Sequence, residues 1–318
     1  MSIPASPSER SPSKRRLAVT GARGLLGSNF VWAAREKWQV IALHRSRPPI
    51  VPGVEGAFLD LANLDGIGAA LDLVQPEIIV HFAAATAVDW CEEHRIEAEH
   101  LNVKATQSLA QWAAANQARL ILMSTDSVFD GKGGPYRESD PPAPVNFYAT
   151  TKWQAEQMVA AITQDHLIIR ASFHGWNGEA KLSLSEWILD RLMAGKPMLG
   201  FLDVRFSPLL ANTLAESILN LIECGARGTY HAASADATSK HDFAVMVAEV
   251  FGLDGANIRG SYLEQSPLRA RRPFNTTLRS DKLHREIAAL APSIRQDLER
   301  FRFLRDSGFV SRLKTAFV

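Results

Sequence analysis

Tyr148 and Lys152 stand four residues apart in "FYATTKWQAE", where a helix is predicted to start near Phe147 and run to about Thr163. Residues at i and i+4 share one helical face. A tyrosine hydroxyl ordinarily titrates near pH ~10, and a neighbouring ammonium favours its phenolate, so such a pair can move a proton at neutral pH. Ser124 and Thr125 close the apolar run "RLILMST", a predicted strand, and a loop rich in Gly, Pro and charge separates them from Tyr148. A hydroxyl at that strand end could hydrogen-bond a carbonyl oxygen while the tyrosine protonates it. A Y-x-x-x-K spacing is frequent by chance, so its meaning depends on the elements that carry it.

Those elements alternate. "RLAVT", "WQVIAL", "GAFLDL", "EIIVHFAAA", "RLILMST" and "HLIIRAS" read as strands, and amphipathic segments lie between most of them, including a long helix from about 92 to 116. Apolar strands separated by helices predict an α/β fold, a doubly wound parallel Rossmann sheet covered on both faces. After Arg170 the rhythm changes to helices near 184–194, 209–223 and 240–251 with a short strand at 228–233. This predicts a dinucleotide-binding domain over 15–170, with returning segments near 203–231. A smaller mixed α/β substrate domain would comprise 171–202 and 232–318.

The 318 residues are 46% hydrophobic and 22% charged, as in ordinary globular proteins. With 35 basic against 34 acidic residues the net charge is +1, which argues against a nucleic-acid or membrane surface. The N-terminal "MSIPASPSERSPSKRR" lacks the apolar core of a secretory signal, so residues 1–14 are expected to be a disordered tail. No apolar run approaches the ~20 residues that span a bilayer, and the expected location is cytoplasmic. Cys91 and Cys224 fit no metal spacing, and no metal site is expected.

"VTGARGLLG" places Gly21, Gly24 and Gly27 between the first strand and the first helix. Gly21 permits the tight turn, Gly24 lets backbone donors approach a pyrophosphate, and Gly27 lets the helix pack on the sheet. The second strand ends in "LHRSR", with Arg45 and Arg47 and no acid, and Arg23 lies in the glycine loop. Basic groups there suit a ribose 2′-phosphate, so NADPH is expected, with NADH left open. Asp60 and Leu61 follow the third strand, where adenine would lie. Ala83, Ala84 and Ala85 leave room for the cofactor past the fourth strand. Leu25, Leu26, His44, Asn102, Ser124 and Ser172 complete the expected cofactor set with Tyr148 and Lys152.

With these motifs the sequence resembles the extended short-chain dehydrogenase/reductase family, in its dTDP-4-dehydrorhamnose reductase-like branch. The resemblance runs from Arg16 to about Arg302. It rests on "HFAAATAVDWCEE", "LNVKATQSLA", "STDSVFDG", "PYRESDPPAPVNFYATTKWQAE", "GTYHAASADATSKHDFAVMVAEVFGLD" and "RRPFNTTLRSDKL". It implies reduction of a nucleotide-linked 4-keto-6-deoxysugar, with Thr125, Tyr148 and Lys152 as the catalytic triad and Asp126 positioning the substrate. Thr86, Val88, Ser127, His174, Trp176 and Arg272 are the further expected substrate contacts. Ser127, the stretch 171–178, Arg279 and "VRFSPLL" depart from the branch's usual pattern on the substrate side. The branch also contains a regulatory subunit of methionine adenosyltransferase, so a non-catalytic NADP-binding role is the alternative. A sugar-nucleotide epimerase or dehydratase is a further one, although "STDSVF" has no Glu beside Asp126. The expected partner is a small-molecule sugar nucleotide, and a homodimer stays open.

Overall fold

The computed structural model describes residues 14–317. The expected N-terminal tail therefore lies outside the described residues, apart from Lys14. Six strands follow the predicted order: β1 (Arg16–Thr20), β2 (Gln39–His44), β3 (Val54–Phe58), β4 (Ile78–His81), β5 (Arg119–Met123) and β6 (His166–Ala171). With the strand Gly228–Ala232 they form one seven-stranded sheet. From its β3 edge the order is β3-β2-β1-β4-β5-β6, then Gly228–Ala232, and every pairing is parallel. The fold is a doubly wound Rossmann sheet. β4 and β5 are buried along their whole length, which is why they read as unbroken apolar runs. Among the described residues β3 pairs with β2 alone and is largely exposed, and it begins and ends earlier than the run "GAFLDL".

Both faces are covered. On one, α2 (Leu64–Val74) and the helices Ala105–Ala115 and Phe147–Ile162 bury Ile67, Leu109 and Val159 against Ile41, Ile79 and Leu120. On the other, α1 (Leu25–Ala34) and Ala211–Glu223 enclose Phe30 and Leu214. That core continues without interruption into the later helices Lys240–Phe251 and Ile294–Asp306, through Phe243 and Phe301. The sheet and the C-terminal half thus share one hydrophobic core. Among the described residues, no helix is long and apolar enough to cross a membrane.

The sheet order reverses between β1 and β4, the place where such folds bind ligands at the carboxyl ends of the strands. At that point His81 is a strut. Its ring nitrogens meet Thr20 Oγ1 at 2.7 Å and Thr106 Oγ1 at 3.0 Å, and burial pushes its pKa down to about 3.

The long helix expected from 92 to 116 is broken. Val88–Glu93 and Arg95–Glu99 are separated by His94 at φ −122°, ψ 58°, and a π turn over His100–Lys104 precedes Ala105–Ala115. The π turn aims Asn102 inward: its Oδ1 accepts from Ala85 N at 2.8 Å, and its Nδ2 donates to Thr151 Oγ1 at 3.0 Å.

Candidate active site

Gly21 has φ +65°, and a Cβ there would lie 2.6 Å from Ala83 N, so the turn between β1 and α1 admits glycine alone. A Cβ at Gly27 would collide with the Gly21 carbonyl, whereas one at Gly24 would meet only that oxygen at 3.3 Å. Gly24, exposed at the N-cap of α1, leaves the helix N-terminus approachable. A cavity of about 310 Å³ opens there, lined by residues 20–24, 43–46, 59–61 and 83–85 with Leu101 and Glu179. A second, of about 730 Å³, shares Gly21, Gly24, Arg45, Ala83, Ala84 and Glu179 with it. It passes Leu25, Leu26, Gly27 and Thr86 and ends among Ser124, Thr125, Asp126, Tyr148, Ser172 and Phe173. The two make one groove from the end of β2 to the end of β5.

At the inner end, Thr125 caps the short turn Asp126–Val128 by accepting from Ser127 N at 3.1 Å. Its hydroxyl also lies 3.2 Å from Asp126 Oδ1, while Asp126 Oδ2 accepts from Thr276 Oγ1 at 2.6 Å. Asn146 starts the helix Phe147–Ile162 by accepting from Ala149 N at 2.9 Å, which aims Tyr148 into the groove. Burial holds the Tyr148 phenol above its ordinary pKa; the Thr125 hydroxyl opposes this and the Asp126 charge adds to it. Desolvation is the largest of these influences, so the net shift is upward, against the lowering expected from the sequence. Lys152 is itself 3% exposed, and burial pushes it down to about 8 against the pull of Glu156.

Glu156, unremarked in the sequence, completes this face at i+4 from Lys152. It is 2% exposed and forms a multiple ion pair with Arg170, with Arg170 Nε at 3.0 and 3.1 Å and Nη2 at 2.6 Å. Ser124 Oγ donates to the same carboxylate. Ser124 thus ties β5 to the helix that carries Tyr148 and Lys152. The i, i+4, i+8 spacing was the available signal; its partner on β6 is a long-range pairing that no local pattern announces.

At the outer end, His44 and Arg45 line the first cavity, as do Asp60 and Leu61. Burial and the Arg23 charge lower the His44 pKa. Arg23 is engaged: its Nε donates to Glu179 Oε1 at 2.6 Å and its Nη2 to the Phe317 carbonyl. Arg47 lines a small hollow that shares Arg23 and Glu179 with the first cavity and Lys181 with the second, so it stands beside the outer end of the groove.

Six other expected residues stand away from the groove wall. His174 is fully buried, its ring edge-on to Phe243 and Phe301 at 5.1 and 5.8 Å, so it is core and not pocket wall. Trp176 is 6% exposed, stacks on Phe301 at 4.1 Å and donates from Nε1 to the Phe301 carbonyl at 2.8 Å. Both side chains turn inward because the C-terminal helix Ile294–Asp306 supplies an aromatic face for them. Their neighbour Phe173 faces the groove instead. Asn102 is 1% exposed and spends its amide on Ala85 and Thr151, so it shapes the cofactor wall without reaching the groove. Arg272 is held by Asp89 at 3.2 Å and by the Ala270 carbonyl at 2.7 Å, and neither it, Val88 nor Ser127 lines the groove.

Residues 15–304 match the family model described as RmlD substrate binding domain. The chain is 32% identical over 286 residues to the probable low-salt glycan biosynthesis reductase Agl14 of Haloferax volcanii, covering 88% of this chain and 95% of that protein. It is 30% identical over 282 residues to methionine adenosyltransferase 2 subunit beta of Pongo abelii, covering 85% of this chain and 81% of the relative. A dTDP-4-dehydrorhamnose reductase from Bacillus anthracis, solved in complex with NADP, superposes with a TM-score of 0.83 at 26% identity. That match covers 91% of this chain and 99% of the other.

Proposed function

Since the chain belongs to the RmlD substrate binding domain family, we propose that it is an NADPH-dependent reductase of a nucleotide-linked 4-keto-6-deoxysugar. The observation that carries this reading is the single groove running from the glycine turn to Tyr148 and Thr125. A dinucleotide fits the residues present. The open N-terminus of α1 would face a pyrophosphate, the small side chains at 83–85 would leave room beside it, and His44, Arg45 and Arg23 would border the adenosine. A bound reduced nicotinamide supplies the hydride for the keto carbon.

The chain's own residues do the rest. Thr125 Oγ1 orients the substrate carbonyl oxygen. Tyr148, kept protonated by its raised pKa, gives its proton to that oxygen as negative charge develops. Lys152 keeps an ammonium beneath the site up to a pH of about 8 and stabilises the phenolate left behind. Asp126, fixed by Thr276, positions the sugar. A separate apolar cleft of about 750 Å³, lined by Trp187, Leu199 and Leu268, suits the nucleotide base. Lys240, which also lines it, suits the diphosphate.

Tyr148→Phe removes the acid and keeps the ring. Its kcat with a 4-keto-6-deoxysugar nucleotide should fall about 10²–10⁴-fold while NADPH still binds. Near wild-type turnover in the folded variant would eliminate the mechanism. The kinship with methionine adenosyltransferase 2 subunit beta favours a second reading, a non-catalytic NADP-binding subunit. A wild-type protein inert towards a panel of keto-sugar nucleotides, yet held in a stoichiometric complex with an enzyme, would establish that one.

A further inference from the structure

We infer that Glu179 sets the cofactor preference: it supplies, from across the groove, the carboxylate that the end of β2 lacks, and it competes with a phosphate for Arg23. This deepens the cofactor reading above and rests on it. The stretch after β2 is His44-Arg45-Ser46-Arg47, without an acid. Glu179 lines the same cavity as His44, Arg45 and Ser46, although 135 residues separate it from His44 in the chain (179 minus 44). Its Oε1 accepts from Arg23 Nε at 2.6 Å, while Arg23 Nη1 is buried without a partner among the described residues.

The backbone beneath Glu179 is built in. Gly178 N donates to Ser28 Oγ at 3.3 Å, and a Cβ at Gly178 would lie 2.9 Å from the Phe317 side chain. Glu179 N donates to Asn177 Oδ1 at 3.2 Å, and Asn177 Nδ2 to the Lys181 carbonyl at 2.7 Å. The segment is wedged between α1 and the helix Phe309–Phe317, so the carboxylate leaves Arg23 by side-chain rotation alone. Its side chain is 42% exposed, which leaves that rotation open.

Two cofactors meet this pair differently. A ribose 2′-hydroxyl donates to a carboxylate, so NADH gains an acceptor and leaves the Arg23–Glu179 pair intact. A 2′-phosphate has only acceptors and carries negative charge: it repels Glu179 and must take Arg23 from it. Glu179 therefore supports NADH and blunts the advantage of NADPH.

The test is the dissociation constant of each cofactor, measured by calorimetry without substrate, for wild type, Glu179→Gln and Arg23→Ala, with circular dichroism confirming the fold. Glu179→Gln should bind NADPH about three- to tenfold tighter and NADH more weakly, the scale set by a partly exposed charge pair. Arg23→Ala should lose most of the preference for NADPH. An unchanged or reduced preference in Glu179→Gln, with the preference lost in Arg23→Ala, sinks the inference and leaves the cofactor reading standing. A preference that survives Arg23→Ala overturns the role of Arg23 and the inference together.

Discussion

Between about pH 7 and about pH 9, kcat/KM for keto-sugar reduction should drop to roughly a tenth, because Lys152 loses its proton there. Burial has pushed this lysine from the ordinary 10.5 down to about 8, with Glu156 resisting. At that value about nine-tenths of the side chain is charged at pH 7 and about one-tenth at pH 9. The charged form is the active one, so the activity is present below the folded pKa and disappears above it. Tyr148 does not account for the same limb, since burial raises its pKa and keeps the phenol protonated across this range. Glu156→Gln removes the carboxylate that holds Lys152 up, so the limb should move to lower pH. The same change leaves Arg170, 3% exposed, without its ionic partner, and should cost about 3–5 kcal/mol in urea unfolding. The assay is steady-state NADPH oxidation from pH 6 to 10 at constant ionic strength, on wild type, Glu156→Gln and Lys152→Met. A flat wild-type profile, or a limb unmoved in folded Glu156→Gln, refutes the assignment.

His174 is neutral in the folded state, with its pKa pushed to about 3 by burial and the Lys240 charge, and neither ring nitrogen has a partner among the described residues. Its contribution to stability is present above the ordinary 6.5 and is lost as pH falls towards 3. His174→Leu should therefore move the acid-unfolding midpoint, followed by circular dichroism, to lower pH and cost less than ~1 kcal/mol at pH 7. Trp176→Ala should lose about 3–5 kcal/mol in chemical denaturation and leave KM for the sugar nucleotide unchanged. Phe173→Ala should instead raise KM several-fold while NADPH affinity holds, because Phe173 forms groove wall.

What the sequence by itself determined is local in physical origin. The glycine turn is legible because φ and close approach depend on a few consecutive residues, and Gly21 and Gly27 admit no Cβ in any fold that closes that turn. Tyr148 and Lys152 share a face because helical periodicity alone places i and i+4 together. Parallel, doubly covered strands follow from apolar runs too long to face water. Tertiary structure decided whatever depended on which distant element faces a loop. The sequence could not tell that Phe301 would draw His174 and Trp176 inward and leave Phe173 at the groove. Nor could it show Arg170 on β6 meeting Glu156, which lets burial, and not the spacing to Tyr148, govern the charge of Lys152. The acid missing after β2 enters the same cavity from residue 179, because the core shared by the sheet and the C-terminal helices folds that segment back onto α1.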